Sequence, residues 1–550
     1  MNFFARYFFV FLSVFWIGKL FSQETSQLVP PSFNRHGISM NIPNVSLPQL
    51  DVDIFLAEDQ ESVKMGNPMR IGIFQPINYT MNNSGRLDVL PDGSRMWRLK
   101  LTSPEALAMN LRLLQLNIPD GAELYLYNSF DDKIVWQYDQ ENIIDYMIGG
   151  EEFLSQEIPG DEIIIEYFEP ADVSFKGSFT ISDVGHLYRG DFITQKGNHG
   201  DAEGTCHPDV TCPEGEGWED QINSAVFIMQ TTQSGIYYCS GAVINNVRQD
   251  KTPYVLTAAH CDVGSGSFRF YFNYQAHTCK SNVGSSGNSV SGGEILARGS
   301  YGSSSDFMLL KITGNLSAVV RSKLYFSGWN ANNTVPTVGA CIHHPGGDFK
   351  KISIPQKVSS TSSMPRYWEV KWRTGINNIG VTEQGSSGSP LFDKDKRIVG
   401  QLYGGTSYCY YPEGDDFYGK LAYSWTNNNT SNNALKLNPW LDPDNTGKMF
   451  MNGIYYNDSI GTGIAETISF KTKINIHPNP ASGLITIKGD FGNKTVQCNV
   501  FNLLGELLYS KELPASPEII LNLDYLSDGM YIIEMRDDLK VQTAKLLISK

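Results

Sequence analysis

An all-β fold divided among several β-rich units is what this 550-residue sequence predicts, and three observations carry the prediction. Short strands with period-two alternation recur, bounded by turn signals such as Pro91-Asp92-Gly93 and Pro119-Asp120-Gly121. Glycine- and serine-rich loops such as Gly284-Ser285-Ser286-Gly287 separate further short strands, a texture that closed antiparallel barrels produce. The length exceeds what one hydrophobic core can serve, so three or four domains are expected.

Residues 1–22 place Arg6 before the apolar run Phe8–Ile17, which is too short for a membrane anchor and ends near Lys19. This reads as a secretory signal peptide. No later stretch is apolar for long enough to cross a bilayer. Residues 23–196 form the first β-rich unit, with strands expected at Met96–Leu101, Leu124–Tyr127, Ile134–Tyr138 and Ile163–Tyr167. This unit holds 12 basic and 26 acidic residues, whereas residues 197–456 hold 20 and 21. The acidity of the chain therefore resides in its N-terminal part, and nucleic-acid binding is not expected. Gly197-Asn198-His199-Gly200-Asp201 is loop-like and marks a boundary.

Residues 197–456 carry strands at Phe268–Phe272 and Ile398–Leu402 and finish in a short helix around Asn433–Leu441. Residues 457–469 are a linker. From 470 to 550, strands at Leu484–Ile487, Val500–Leu503 and Gly529–Glu534 read as a small immunoglobulin-like β-sandwich.

Two motifs in the middle unit carry chemistry. Thr257-Ala258-Ala259-His260-Cys261 offers a general base beside a half-cystine. Gly385-Ser386-Ser387-Gly388-Ser389-Pro390 offers a hydroxyl in a glycine-rich turn, where two backbone N–H groups can converge on one point. With Asp306 between them, at the head of the apolar run Phe307–Leu310, these are the parts of an acyl-transfer site. The order His, Asp, Ser resembles that of the chymotrypsin-like double β-barrel proteases. The resemblance implies that Asp306 fixes the His260 tautomer, that Ser387 is the nucleophile, and that the N–H groups of Gly385 and Ser387 form the oxyanion hole. Asp262 is a neighbour in sequence only. Ser386 stands where this family usually has an aspartate that binds a freed N-terminus, so activation should not depend on N-terminal insertion. A β-rich unit ahead of a secreted protease is most simply a propeptide. Its acidity suits an inhibitor of a cation-preferring enzyme as well as it suits solubility.

Eight cysteines, six of them around these motifs, fit an oxidising compartment, and without a CxxC pair a zinc site has no support. Cys341 and Cys498 are left as buried thiols. Residues 197–456 further resemble bacterial lysyl endopeptidase in "IHHPGGDFKKIS" at 342–353, "TEQGSSGSPLFD" at 382–393 and "PWLDPDNTG" at 439–447. That resemblance implies the bridges Cys206–Cys409, Cys212–Cys279 and Cys239–Cys261. It also implies an acid at the base of the S1 pocket, for which Asp416 in Asp416-Phe417-Tyr418-Gly419 is the candidate, because Val381 occupies the trypsin position. Asp415 and Glu383 are the competitors. Tyr403 stands where the family has a histidine beside the pocket and, with Gly404, lines the substrate site.

The "HPNP" at 477–480, "GMYIIEM" at 529–535 and terminal "KLLISK" resemble the C-terminal sorting domain of the type IX secretion system. The partners implied are peptide or protein substrates and that export machinery, and the mature enzyme is expected to be an extracellular or surface-attached monomer. No metal or cofactor is expected, since His343-His344 with Asp348 belongs to a turn before Pro345. Trp368 and Trp372 are assigned to core or pocket without distinction. Serine proteolysis after lysine is the expected activity. Arg/Lys or broader specificity, and a non-catalytic binding role, are the alternatives.

Overall fold

The computed structural model describes residues 29–33, 38–39, 41–189, 206–458 and 474–550, apart from the short segments 65, 130–134, 149–151, 282, 286–287, 374–379, 428, 490–494, 503–506 and 537–540. The signal-peptide expectation, the boundary loop at 197–201 and most of the linker lie outside the described residues. The chain divides into two compact units, residues 1–458 and residues 459–550.

The first unit begins with a sandwich of two sheets. One sheet runs Asn44–Ser46, Arg95–Thr102, Glu162–Glu169, Glu123–Tyr127, Val135–Tyr138. The other has Arg70–Thr80, Ser178–Leu187, Ala108–Asn117 and Glu152–Leu154 as neighbours. Alternation along these strands turns Trp97, Leu99, Leu101, Leu124, Leu126, Ile163 and Ile165 from one sheet onto Leu111, Leu113, Phe179 and Ile181 from the other. A helix at Val52–Lys64 was not expected from the β texture of this region. Its buried Asp59 pairs with Arg70 at 2.7 Å.

The second sandwich sheet continues into the next domain. Strand Arg70–Thr80 pairs with Ile236–Ile244, matching Gly72 to Ile236 and Arg70 to Tyr237. Arg269 of the first barrel is buried and donates to the carbonyls of Leu154 and Ser155, while Tyr271 Oη donates to Glu157 at 2.7 Å.

The first barrel comprises Asn288–Ser291, Gly266–Phe272, Ala225–Thr232, Ile236–Ile244, Tyr254–Ala258, Phe307–Ile312 and Gly293–Gly299 around Val226, Ile228, Phe270, Met308 and Leu310. The second sheet orders Lys351–Ser353, Val338–His343, Pro390–Asp393, Ile398–Gly405, Asp415–Lys420, Tyr367–Trp372 and Pro355–Ser359. Its core holds Val370, Leu391, Leu402, Tyr418 and both Trp368 and Trp372. A third cluster, with Ala242, Leu256 and Leu309 from the first barrel and Ile342, Phe392 and Ile398 from the second, welds the two together. The expected terminal helix is two short pieces, Asn433–Leu435 and Asn438–Leu441, and Leu421–Thr426 adds an unexpected one. Among the described residues no helix is long and apolar enough to cross a membrane.

The second unit is a sandwich of a three-stranded and a four-stranded antiparallel sheet. Ile485, Ile487, Val500, Ile533, Leu546 and Ile548 meet between them, as alternation in the sequence requires.

Candidate active site

Strand pairing brings His260 and Asp306 together. Tyr254–Ala258 lies antiparallel to Phe307–Ile312 with Ala258 opposite Phe307, so the residues just beyond, His260 and Asp306, fall side by side. The bridge Cys239–Cys261 ties the histidine turn to the neighbouring strand. Asp306 is buried and adopts a left-handed backbone at φ 57°, a conformation that aspartate tolerates better than most residues. Its carbonyl accepts from Ala259 N–H at 3.0 Å and its Oδ1 from His260 N–H at 3.1 Å. Oδ2 lies 2.7 Å from His260 Nδ1. A carboxylate can only accept here, so Nδ1 carries a proton.

Of the three serines in Gly385–Pro390, two face inward. Ser386 Oγ is buried 2.7 Å from His343 Nδ1, and Ser389 Oγ is buried 3.4 Å from Cys341 Sγ. Ser387 alone is partly exposed. The turn needs its glycines. At Gly385 (φ +86°) an added Cβ would lie 2.1 Å from Tyr238 Cε2, and at Gly388 (φ +80°) it would lie 2.0 Å from Thr257 Oγ1. The N–H groups of Ser386, Gly388 and Ser389 are taken by the carbonyls of Glu383, Leu402 and Ser386. Those of Gly385 and Ser387 have no hydrogen-bond partner among the described residues, the requirement for a pair of donors awaiting an oxyanion.

Ser240 was not singled out in the sequence, yet it fastens this loop to the first barrel. Its N–H donates to Ser387 O at 2.8 Å and its Oγ to Gly385 O at 2.9 Å. Position alone, directly after Cys239, was the available signal.

Asp416 is 1% exposed. It accepts from Trp372 Nε1 at 2.6 Å, from the hydroxyls of Thr382 and Ser407, and from Ser407 N–H at 3.2 Å. Burial pushes its pKa up against the pull of these donors. No lysine, arginine or histidine pairs with it among the described residues. Val381 is buried in the apolar core of the second barrel. Asp415 pairs on the surface with Lys371 at 2.8 Å. Glu383 accepts from Cys409 N–H at 3.0 Å and lies 3.3 Å from His207 Nε2. Trp372 is thus both core and carboxylate donor, whereas Trp368 Nε1 donates to Val399 O at 3.0 Å.

Tyr403 sits edge-on to His260 at 6.1 Å between centroids and stacks on Tyr301 at 4.6 Å, so its ring abuts the base. Gly404 (φ +149°) is open beside it. The cysteines pair as Cys206–Cys409, Cys212–Cys279 and Cys239–Cys261, while Cys341 and Cys498 are free and buried. Cys206, His207 and Cys409 gather three metal-type donors, but both sulfurs are spent in the bridge.

His343 and His344 are fully buried, which drives their pKa values well below the ordinary histidine range. His207, His344 and Lys351 around the first, and Lys350 and Lys351 around the second, add to the effect. The unfolded chain takes up protons near pH 6.5 that the folded chain refuses, so stability is complete above that pH and declines below it. Thermal unfolding from pH 7.5 to 5 should show a falling Tm. A Tm independent of pH over that range contradicts the burial of these rings.

Three stretches of the chain match known protein families. Residues 46–188 match the family model for the lysyl endopeptidase N-terminal domain, and residues 200–419 match that for the lysyl endopeptidase C-terminal domain. The chain belongs to the lysyl endopeptidase family. Residues 475–549 match the secretion system C-terminal sorting domain, which marks this family member for export. A lysyl endopeptidase of Pseudomonas aeruginosa is 29% identical over 282 residues, covering 47% of this chain and 58% of that protein. The match thus spans less than two thirds of that relative. Among solved structures, the protease Anisep of Arthrobacter nicotinovorans is 16% identical, covering 36% of this chain and 91% of that one with a TM-score of 0.29. A Glu endopeptidase is 18% identical over 39% and 90%, with a TM-score of 0.26.

Proposed function

We propose that the chain is an exported serine endopeptidase that cleaves on the C-terminal side of lysine. Ser387 Oγ attacks the scissile carbonyl carbon as its proton passes to His260 Nε2, and Asp306 supports the imidazolium so formed. The negative charge gathering on the carbonyl oxygen is met by the N–H groups of Gly385 and Ser387. His260 then returns the proton to the leaving amine as the C–N bond breaks. Water, deprotonated by the same nitrogen, releases the acyl group from Ser387.

The observation that carries the lysine reading is Asp416, a buried carboxylate that four donors hold and that no cation among the described residues neutralises. A substrate ammonium supplies the missing charge, and Tyr403 and Gly404 border its path. Cleavage of a peptide mixture by the purified enzyme, read by mass spectrometry, tests this. Ends dominated by lysine support the reading, and ends shared evenly with arginine or with uncharged residues sink it.

In this reading residues 23–196 are a propeptide, residues 197–456 the catalytic domain, and residues 470–550 the address read by type IX secretion machinery. The mature enzyme then acts as a monomer on extracellular protein. Lys196-Gly197 is then a site the enzyme can cut itself. Ser387→Ala precursor purified alone should stay intact there and be cut on addition of active enzyme. A mature N-terminus well inside 201–220 would reject the site.

A further inference from the structure

The glycine-rich turn is held from beneath by a chain of hydrogen bonds whose directions can be assigned. Glu383 N–H donates to Ser386 Oγ at 3.1 Å, which commits that oxygen as an acceptor and turns its own hydroxyl proton toward His343 Nδ1, 2.7 Å away. On the opposite side, Ser353 Oγ donates to Val381 O at 2.8 Å and so receives the proton of His343 Nε2 at 2.9 Å. The chain is complete with one neutral tautomer, carrying its proton on Nε2. Both ends of this chain terminate on the segment Val381–Ser386. That segment leads into Gly385 and carries Thr382, whose hydroxyl donates to Asp416. One buried ring therefore holds the segment that carries the oxyanion glycine.

The groups packed around the ring are His207, 5.6 Å away between centroids, His344 and Lys351. Glu383, 3.3 Å from His207, supplies the nearby acid. All of them are fixed within the fold, and none is a chain terminus.

We propose that His343 is the positioning residue of the oxyanion hole, bridging Ser353 and Ser386 as a neutral imidazole so that the hole is formed without any free N-terminus. This rests on Ser387 being the nucleophile. His343 touches neither substrate nor reacting atoms, and it acts through residues 381–386. Loss of one oxyanion donor typically lowers turnover by about 10²–10³.

The experiment compares the full-length enzyme with His343→Ala, His343→Asn and Ser386→Ala, measuring kcat and KM on a lysyl ester and the rate of labelling by an organofluorophosphate. Removing the ring should lower kcat and labelling about 100-fold while KM changes less than about threefold, since a misplaced donor weakens the transition state and not substrate binding. His343→Asn keeps an acceptor near Nδ1 and should recover about tenfold of the loss. Ser386→Ala should lose about tenfold.

Wild-type kcat and labelling in folded His343→Ala would overturn the proposal, as would an equal loss in kcat and in substrate affinity. If His343→Ala does not fold, His343→Asn and Ser386→Ala decide by the same readout. A wild-type enzyme whose Ser387 is never labelled would instead refute the nucleophile assignment, so the two failures are distinguishable.

Discussion

Replacing Ser387 by alanine is expected to lower turnover about 10⁶-fold, because base, acid and nucleophile act as a unit and losing one forfeits nearly the whole covalent route. Ser386→Ala and Ser389→Ala should retain substantial activity. The contrast follows from burial: the hydroxyls of Ser386 and Ser389 lie buried against His343 and Cys341, whereas Ser387 is partly exposed. Single-turnover assays on folded variants check it. Loss of turnover in Ser389→Ala but not in Ser387→Ala would show the wrong nucleophile to have been chosen.

Asp416→Asn should reduce kcat/KM on lysyl peptides by about 10²–10⁴. A lysine ammonium entering a closed pocket gives up its hydration, which is tolerable only opposite a fixed carboxylate. Leaving it unpaired costs roughly 3–5 kcal/mol by analogy with broken buried ion pairs, and 1.36 kcal/mol is tenfold. The amide keeps the shape of the carboxylate, so reaction with a small uncharged titrant should survive. Asp415→Asn, which removes only a surface partner of Lys371, and Glu383→Gln should change lysyl cleavage little. Wild-type kcat/KM in Asp416→Asn would mean that another acid reads the substrate.

The parts of the site fixed by short-range rules were legible in the sequence. Glycines flanking a serine announce a turn whose backbone demands φ > 0, and an acid at the head of an apolar strand announces a strand end. That Ser386 was no ordinary loop serine was also visible, since it stands where a charged residue is usual. What stood in its place was not legible. His343 is 43 positions away and meets Ser386 only because two strands of the second sheet are neighbours. Its buried ring looked like part of a polar turn because neither periodicity nor composition separates a satisfied core histidine from an exposed one. Ser240 was hidden for the same reason, as its partners Gly385 and Ser387 belong to the other barrel. The helix Val52–Lys64 escaped because its acidic residues, Asp53, Glu58, Asp59 and Glu61, leave it little apolar face.

The pairing of Arg70–Thr80 with Ile236–Ile244 bears on how the molecule is made. Contacts between residues so distant in sequence form slowly when the chain must search for them. Synthesis proceeds from the N-terminus, and domains generally fold as units in that order. The leading sandwich can therefore be complete before Ile236 emerges, presenting a finished strand edge on which the first barrel nucleates. The converse falls on any catalytic domain set free of it. Such a domain bares the backbone groups of Ile236 and Tyr237 and the guanidinium of Arg269 to water. Refolding the catalytic domain alone thus begins without its template.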